Sequence, residues 1–291
     1  MKQALEAPGV ALHANALIAL RPIALKATVQ PVLAQLPGGF AGKRKGTGQE
    51  VADLREYAAG DDVRHLDRSA TARTGRLHVR QFREERDRVT LLVADFRPAM
   101  FWGLSRAFLS VAAAEVLSLI GWSVVEDSGR VGLMAVTAQG PVVQVARGRS
   151  RGMLGVIGGM VRAHAAALGG GGETQRLDLA LASVERLCPR GSEIVIASGF
   201  DRLGDDWTDR LGQIDRHRTV RLIELSDADA LPAGRYPVRL RDGRRMRLAL
   251  SKSSSDETSD LLSKRPVLRL NAGDPLDRLA RQIAAAMPTR P

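Results

Sequence analysis

The stretch VTLLVA at Val89–Ala94 follows a run of dense charge and precedes an apolar helical pattern. It carries one hydroxyl and no charge, so it offers no polar face to solvent. That is the signature of a strand buried on both sides, as in a parallel sheet covered by helices. EIVIA at Glu193–Ala197 reads the same way. Between them the pattern predicts a helix over Ser105–Ile120 and strands over Arg130–Thr137 and Val142–Ala146, paired through the Gln139-Gly140 turn. A helix over Met153–Leu168, a tetraglycine joint at Gly169–Gly172 and a helix over Leu177–Leu187 follow. Beyond Ala197 come a helix over Trp207–Arg218 and a strand over Val220–Leu225. Strands alternating with helices imply an α/β fold with a mostly parallel sheet and helices on both faces.

Outward from this core the character of the chain changes. Towards the C-terminus, Tyr236–Leu240 and Arg244–Leu250 flank Asp242-Gly243, a hairpin turn. Lys252–Lys264 is a Ser-rich surface loop, Val267–Leu270 one more strand, and Leu276, Leu279 and Ile283 share one face of a terminal helix. Towards the N-terminus, Val10–Leu36 reads as one or two helices limited by Pro22 and Pro31, followed by a Gly/Lys-rich loop over Gly38–Gly48. Asp53–Arg88 packs 17 charged residues into 36, 9 basic to 8 acidic, a solvated or ion-paired surface. Three regions are expected: a helical and charged module over 1–88, the core over 89–226, and a hairpin and helix extension over 227–291.

The lone cysteine, Cys188, cannot form an internal disulfide, which points to a reducing compartment. Met1–Leu20 carries Glu6 and His13 and does not read as a signal peptide. No apolar run approaches the ~18 residues that cross a bilayer; Phe108–Trp122 is short and interrupted by Glu115. The expectation is a cytoplasmic chain without a membrane span. The net charge of +11, from 43 Lys+Arg against 32 Asp+Glu, favours acidic partners.

Within 48–103 the chain resembles one family on many ordered residues. They are Gly48-Gln49-Glu50, Leu54-Arg55-Glu56-Tyr57, Gly60-Asp61-Asp62-Val63-Arg64, Leu66-Asp67, Ala72-Arg73-Thr74-Gly75, and Val79 through Glu85. The strand ending at Asp95 and the following Met100-Phe101-Trp102-Gly103 complete the pattern. It is similar to the prokaryotic proteins known as domain of unknown function 58, which have a von Willebrand factor A-like fold. The resemblance implies partnership with a MoxR-type AAA+ ATPase in assembly, activation or remodelling of client proteins, and no enzymatic activity or cofactor. The expected partner-binding residues are Arg55, Glu56, Asp61, Asp62, Arg64, Asp67, Arg73 and Arg80, a mixed-sign network suited to charge-assisted contacts or to an internal structural role. The family's tryptophan after Ile-Asp is replaced by Arg68, so an aromatic anchor becomes a charge.

Von Willebrand factor A domains often hold a divalent ion on an Asp-x-Ser-x-Ser motif after the first core strand, because hard cations take oxygen ligands. Here Asp95 matches, while Arg97 and Ala99 replace both serines. Thr174 stands for the later threonine, and Ser198-Gly199 stands where a Ser-Asp pattern is expected. A metal-free rim of Asp95, Arg97, Ala99, Thr174 and Gly199 is expected, with the Arg97 guanidinium neutralising Asp95.

Two rival functions follow from other patterns. Gly148-Arg149-Ser150-Arg151-Gly152 matches a G-x-S-x-G nucleophile elbow, with Ser150 as nucleophile and Asp201 or Asp205 and His217 downstream. The clusters Lys43-Arg44-Lys45, Arg147/Arg149/Arg151 and Arg235–Arg247 fit phosphate binding, though Tyr236 alone accompanies them for base stacking. Gly38–Lys43 lacks the spacing of a phosphate loop. The five histidines lack metal-ligand spacing, and Cys188 reads as a small buried hydrophobe.

Overall fold

The computed structural model describes residues 6–29, 51–58, 61–82, 88–170, 172, 174–227, 234–239, 245–250, 262 and 265–287. The chain divides into two compact units. Ala34–Asp87 forms one; Met1–Leu33 and Arg88–Pro291 form the other. The residues before 34 therefore group with the core, not with the charged segment that follows them.

In the smaller unit, strand β1 (Val51–Glu56) pairs antiparallel with β2 (His78–Phe82). Between them lie a 3-10 turn at Val63–His65 and a short helix, α3 (Arg68–Thr74). Aspartates start both: the Asp62 carboxylate accepts from the Arg64 amide at 3.0 Å and Asp67 from the Ala70 amide at 2.8 Å. Gly75, at φ 71°, ends α3 in the left-handed conformation that a side chain resists.

The larger unit is built on a six-stranded sheet. Its strands are β3 (Val89–Phe96), β4 (Arg130–Thr137), β5 (Gly140–Gly148), β6 (Glu193–Ser198), β7 (Thr219–Ser226) and β10 (Val267–Asn271), in the order β10-β7-β6-β3-β4-β5. Every pairing is parallel except that of β4 with β5, the hairpin expected at Gln139-Gly140. A separate hairpin joins β8 (Gly234–Arg239) to β9 (Arg245–Leu250); the expected turn at Asp242-Gly243 and the loop over Lys252–Lys264, apart from Leu262, lie outside the described residues.

All eight residues of β3 are buried. Leu92, Ala94 and Phe96 join the apolar cluster on one face, and Val89, Leu91 and Val93 the cluster on the other. The two-residue period of a strand thus feeds two cores at once. The first face is covered by α1 (Ala14–Ile18), α2 (Arg21–Val29), α4 (Leu109–Glu126), α5 (Arg149–Gly169) and α9 (Leu276–Ala286). The second is covered by α6 (Leu177–Ala180), α7 (Val184–Leu187) and α8 (Trp207–Asp215). The single helix expected over Leu177–Leu187 is broken by a 3-10 turn at Leu181–Ser183. The result is the α/β, von Willebrand factor A-like arrangement.

Helix α4 is buried nearly all round, from Leu109 to Trp122, between the sheet and the other helices of its face. Glu115 does not interrupt it, because Arg106 holds its carboxylate through two hydrogen bonds of 2.9 and 2.7 Å. The indole of Trp122 donates to the Leu17 carbonyl at 3.0 Å, and Arg21 lies over the same ring. These contacts fix the N-terminal helices to the core.

That packing corrects one expectation. Helices α4, of 18 residues, and α5, of 21, are both long and apolar enough to cross a membrane. Reading Phe108–Trp122 as interrupted at Glu115 underestimated α4: that acid is paired with Arg106, and the second, Glu126, is the helix's last residue. The expected absence of a span-length apolar segment does not hold, and the cytoplasmic placement built on it is withdrawn.

Candidate functional site

In an open α/β sheet, ligand sites form outside the carboxyl ends of the strands, where successive connections leave to opposite faces. Here that point lies between β3 and β6. The chain leaves β3 for α4 on one face and leaves β6 for α8 on the other. Asp95 is the last residue but one of β3, and Ser198 ends β6.

The crevice is filled by Arg97. Its side chain and that of Asp95 are each 1% exposed. Asp95 Oδ1 accepts from the Arg97 amide at 3.0 Å and from Nε at 2.9 Å. Oδ2 accepts from Arg97 Nη2 at 2.7 Å and from the Ser198 hydroxyl at 2.6 Å. Both carboxylate oxygens are therefore fully engaged. The guanidinium also donates to the Gln175 carbonyl at 2.5 Å and to the Asp201 carbonyl at 3.0 Å. Ser198 Oγ in turn accepts from the Phe200 amide at 2.8 Å. Pro98 then opens a 3-10 turn over Pro98–Met100 that directs the chain away from the sheet.

Two loops bring those carbonyls together. The Leu177 amide donates to the Arg202 carbonyl at 3.0 Å and the Asp178 amide to the Leu203 carbonyl at 2.9 Å. Arg202 donates to the Thr174 carbonyl at 2.9 Å. Gln175 reaches the Ala138 carbonyl at the β4–β5 turn, at 3.0 Å. Beneath them Arg176 clamps the buried Asp178 through bonds of 2.6 and 3.3 Å and also meets Asp205 at 2.8 Å. Burial pushes the Asp178 carboxyl up, but Arg176 and the Leu179 and Asp206 amides bring it below its ordinary value. Gly204 stands over this carboxylate at φ 96°, and a Cβ there would lie 2.3 Å from it, so no larger residue fits. The loop after β6 is strained as well: Phe200 and Arg202 have φ of 57° and 51°. The buried Phe200 ring, packed against Trp207, secures that turn.

Of the expected rim, Asp95 and Arg97 pair directly. Ala99 is half-buried in the 3-10 turn, Thr174 takes part through its carbonyl, and the Gly199 amide meets Met100 Sδ at 3.1 Å. Ser198, read from the sequence as the start of the altered Ser-Asp pattern, belongs to the same cluster, as do Gln175 and Asp201, which the expected rim did not include. Gln175 and Asp201 act through backbone carbonyls, which no residue type signals. The Asp201 carboxyl, above the pair, is raised by desolvation; Arg97 pulls it down and Asp95 pushes it up. Among the described residues no group of three or more His, Cys, Asp or Glu could hold a metal ion.

The expected partner-binding residues lie in the smaller unit. Arg55 holds Asp61 through two bonds of 2.6 and 2.5 Å, and Glu56 pairs with Arg76 at 2.8 Å. Asp62 meets the Arg64 side chain at 3.2 Å; Asp67 caps α3; Arg73 is exposed on its last turn; Arg80 stands in β2 opposite Leu54.

The hydrolase triad does not assemble. Ser150 follows the antiparallel edge strand β5, whose end pairs with the start of β4, so it lies at the opposite end of the sheet from Asp201. His217 precedes β7, four strand positions from β5, or about 19 Å at ~4.8 Å per strand. The left-handed residue of the turn is Arg149, not Ser150. Of the basic clusters, Arg147, Arg149 and Arg151 are exposed, and Lys43-Arg44-Lys45 lies outside the described residues.

A family model described as protein of unknown function DUF58 matches residues 53–251. Uncharacterized proteins of Mycobacterium bovis and Mycobacterium tuberculosis are 31% identical over 201 residues, 66% of this chain. The chain spans 59% of the length of these relatives. Among solved structures, an uncharacterized membrane-spanning protein from Vibrio fischeri is 16% identical over 69% of this chain and 99% of its own, with a TM-score of 0.23, too low to bear on the fold. The two span-length helices stand against the cytoplasmic expectation.

Proposed function

We propose, because the chain belongs to the DUF58 family, whose members are related to von Willebrand factor A domains and frequently encoded beside MoxR-type AAA+ ATPases, that it is a non-catalytic adaptor for such an ATPase and a client protein. The observation that carries this reading is the closure of the crevice. Where an α/β sheet offers its chemistry, both oxygens of Asp95 are taken up by Arg97 and Ser198. A guanidinium held there stands where a cation would, and the Asp95 and Ser198 oxygens are all engaged. What remains is a rigid rim of Ala99, Thr174, Gly199 and Asp201, together with the charged unit around Arg55–Arg80, as surfaces for a protein partner.

On this reading the rim is a metal site that no longer takes a metal. Titration calorimetry with magnesium and with manganese should give no heat of binding; a stoichiometric site lost on Asp95→Asn would end the reading. The adaptor role is tested by affinity capture of the tagged full chain with the MoxR-type ATPase of its host, with and without ATP. Specific retention of the ATPase supports it. Retention of nuclease-sensitive ribonucleoprotein instead would favour the nucleic-acid alternative.

A further inference from the structure

Four carboxylates of the smaller unit, Glu56, Asp61, Asp62 and Asp67, are engaged within it. Asp61 takes both Arg55 nitrogens and the Ala58 amide at 2.8 Å. Glu56 is held by Arg76, which lowers its carboxyl from the ordinary range. Asp62 accepts the Arg64 amide that starts the 3-10 turn, and this bond, then the side-chain bond, draws its carboxyl down too. Asp67 caps α3. Each is tied to the backbone or to one arginine within its own unit.

The arginines divide differently. Arg55 and Arg76 are used up by those acids. The Arg64 side chain touches Asp62 yet stays 86% exposed. Arg68 and Arg73 are exposed and have no carboxylate partner among the described residues. On α3 the buried Ala70 and half-buried Thr71 face inward, while Arg68, Ser69, Ala72 and Arg73 are exposed. At ~100° per residue, Arg68 and Arg73 bracket the outward face, with the small Ser69 and Ala72 between them. Beside Arg64, Val63 is 63% exposed, an apolar side chain among cations.

We infer that Arg64, Arg68 and Arg73, with Val63, form a docking face for a protein surface rich in carboxylates. Exposed guanidiniums pair with carboxylates in bidentate fashion, and Ser69 and Ala72 leave room for an acidic side chain to enter between two of them. A phosphate backbone would also meet the charge, but the side chains exposed on this face include no aromatic for base stacking. The inference deepens the adaptor reading by naming the chemistry of the partner face, and it divides the charged network into an acidic scaffold and a basic contact.

The test uses the purified full chain and fluorescence anisotropy, with labelled poly-L-glutamate and labelled single-stranded DNA as probes, at about 150 mM salt. Arg64→Glu/Arg68→Glu/Arg73→Glu should weaken poly-L-glutamate binding by roughly tenfold or more. The control Arg147→Glu/Arg149→Glu/Arg151→Glu changes the net charge equally and should weaken it by less than about threefold. Equal weakening by both overturns the inference, since total charge would then be the cause. Tighter binding of DNA than of poly-L-glutamate, lost in the first variant alone, replaces it with a nucleic-acid face. If the reversed variant lacks the wild-type circular dichroism, Arg64→Ala/Arg68→Ala/Arg73→Ala takes its place. Poly-L-glutamate binding at these arginines with no ATPase captured leaves the face assigned and ends the adaptor reading; an ATPase captured equally by wild type and arginine variant keeps the adaptor and ends the face.

Discussion

Asp95 and Arg97 pair at the centre of the sheet with both side chains 1% exposed, whereas Asp62 and Arg64 pair on the charged unit with 41% and 86% exposed. The residue types and their spacing are identical, Asp-x-Arg in each case. In the interior, the guanidinium and carboxylate are held by hydroxyl and carbonyl partners on every side and have no water to fall back on. On the surface, water competes for each group and salt screens the attraction. What a charged pair contributes is therefore set by the strand or turn that carries it.

The largest expected effect breaks the interior pair. Arg97→Ala leaves the Asp95 carboxylate buried without its cation and should cost about 3–5 kcal/mol in chemical denaturation. Adding Asp95→Asn should recover much of the loss, since the charge left stranded is removed; a single variant within about 1 kcal/mol of wild type would show that water reaches the crevice.

A second buried polar group sharpens the same contrast. His164 in α5 is held at 3.0 Å from the Ser110 hydroxyl and packed edge-on against Phe96, and burial lowers its pKa from 6.5 to about 4. The unfolded chain then binds a proton that the folded chain refuses. Stability is unaffected by this residue above pH 6.5 and falls as pH drops from there towards 4, by about 3 kcal/mol at ~1.4 kcal/mol per unit. His164→Gln should flatten that part of the stability curve. An unchanged slope would assign the acid sensitivity elsewhere.

Two smaller effects belong to the charged unit. Asp67→Ala removes the cap of α3 and should cost about 1 kcal/mol, read by faster hydrogen exchange at the Ala70 amide. Arg76→Ala, which breaks an exposed pair with Glu56, should leave the denaturation midpoint unchanged. A midpoint shift as large as that of Asp67→Ala would mean the surface pairs carry structure after all.

The core strands were legible because burial on both faces forbids polar residues, so VTLLVA and EIVIA announce themselves without neighbours. The hairpin at Gln139-Gly140 and the apolar face of α9 were visible for similar local reasons. Asp95 and Arg97 were also readable, being two residues apart at a strand end. Their surroundings were not. Gln175 and Asp201 lie far along the chain, meet Arg97 through carbonyls, and are placed by a pairing of two irregular loops that depends on Gly204 and on left-handed Phe200. The span-length apolar character of α4 was missed because Glu115 reads as an interruption, while its partner is Arg106, outside the helix itself.

Arg97 is part of the chain, and that changes what can regulate the centre of the sheet. A bound ion stabilises a protein in proportion to the logarithm of its free concentration, so a chelator or a depleted medium weakens it. A covalently attached guanidinium obeys no such mass action. Its occupancy is one at any ion supply, and the carboxyl end of the central strands that it organises is as firm in a starved cell as in a replete one.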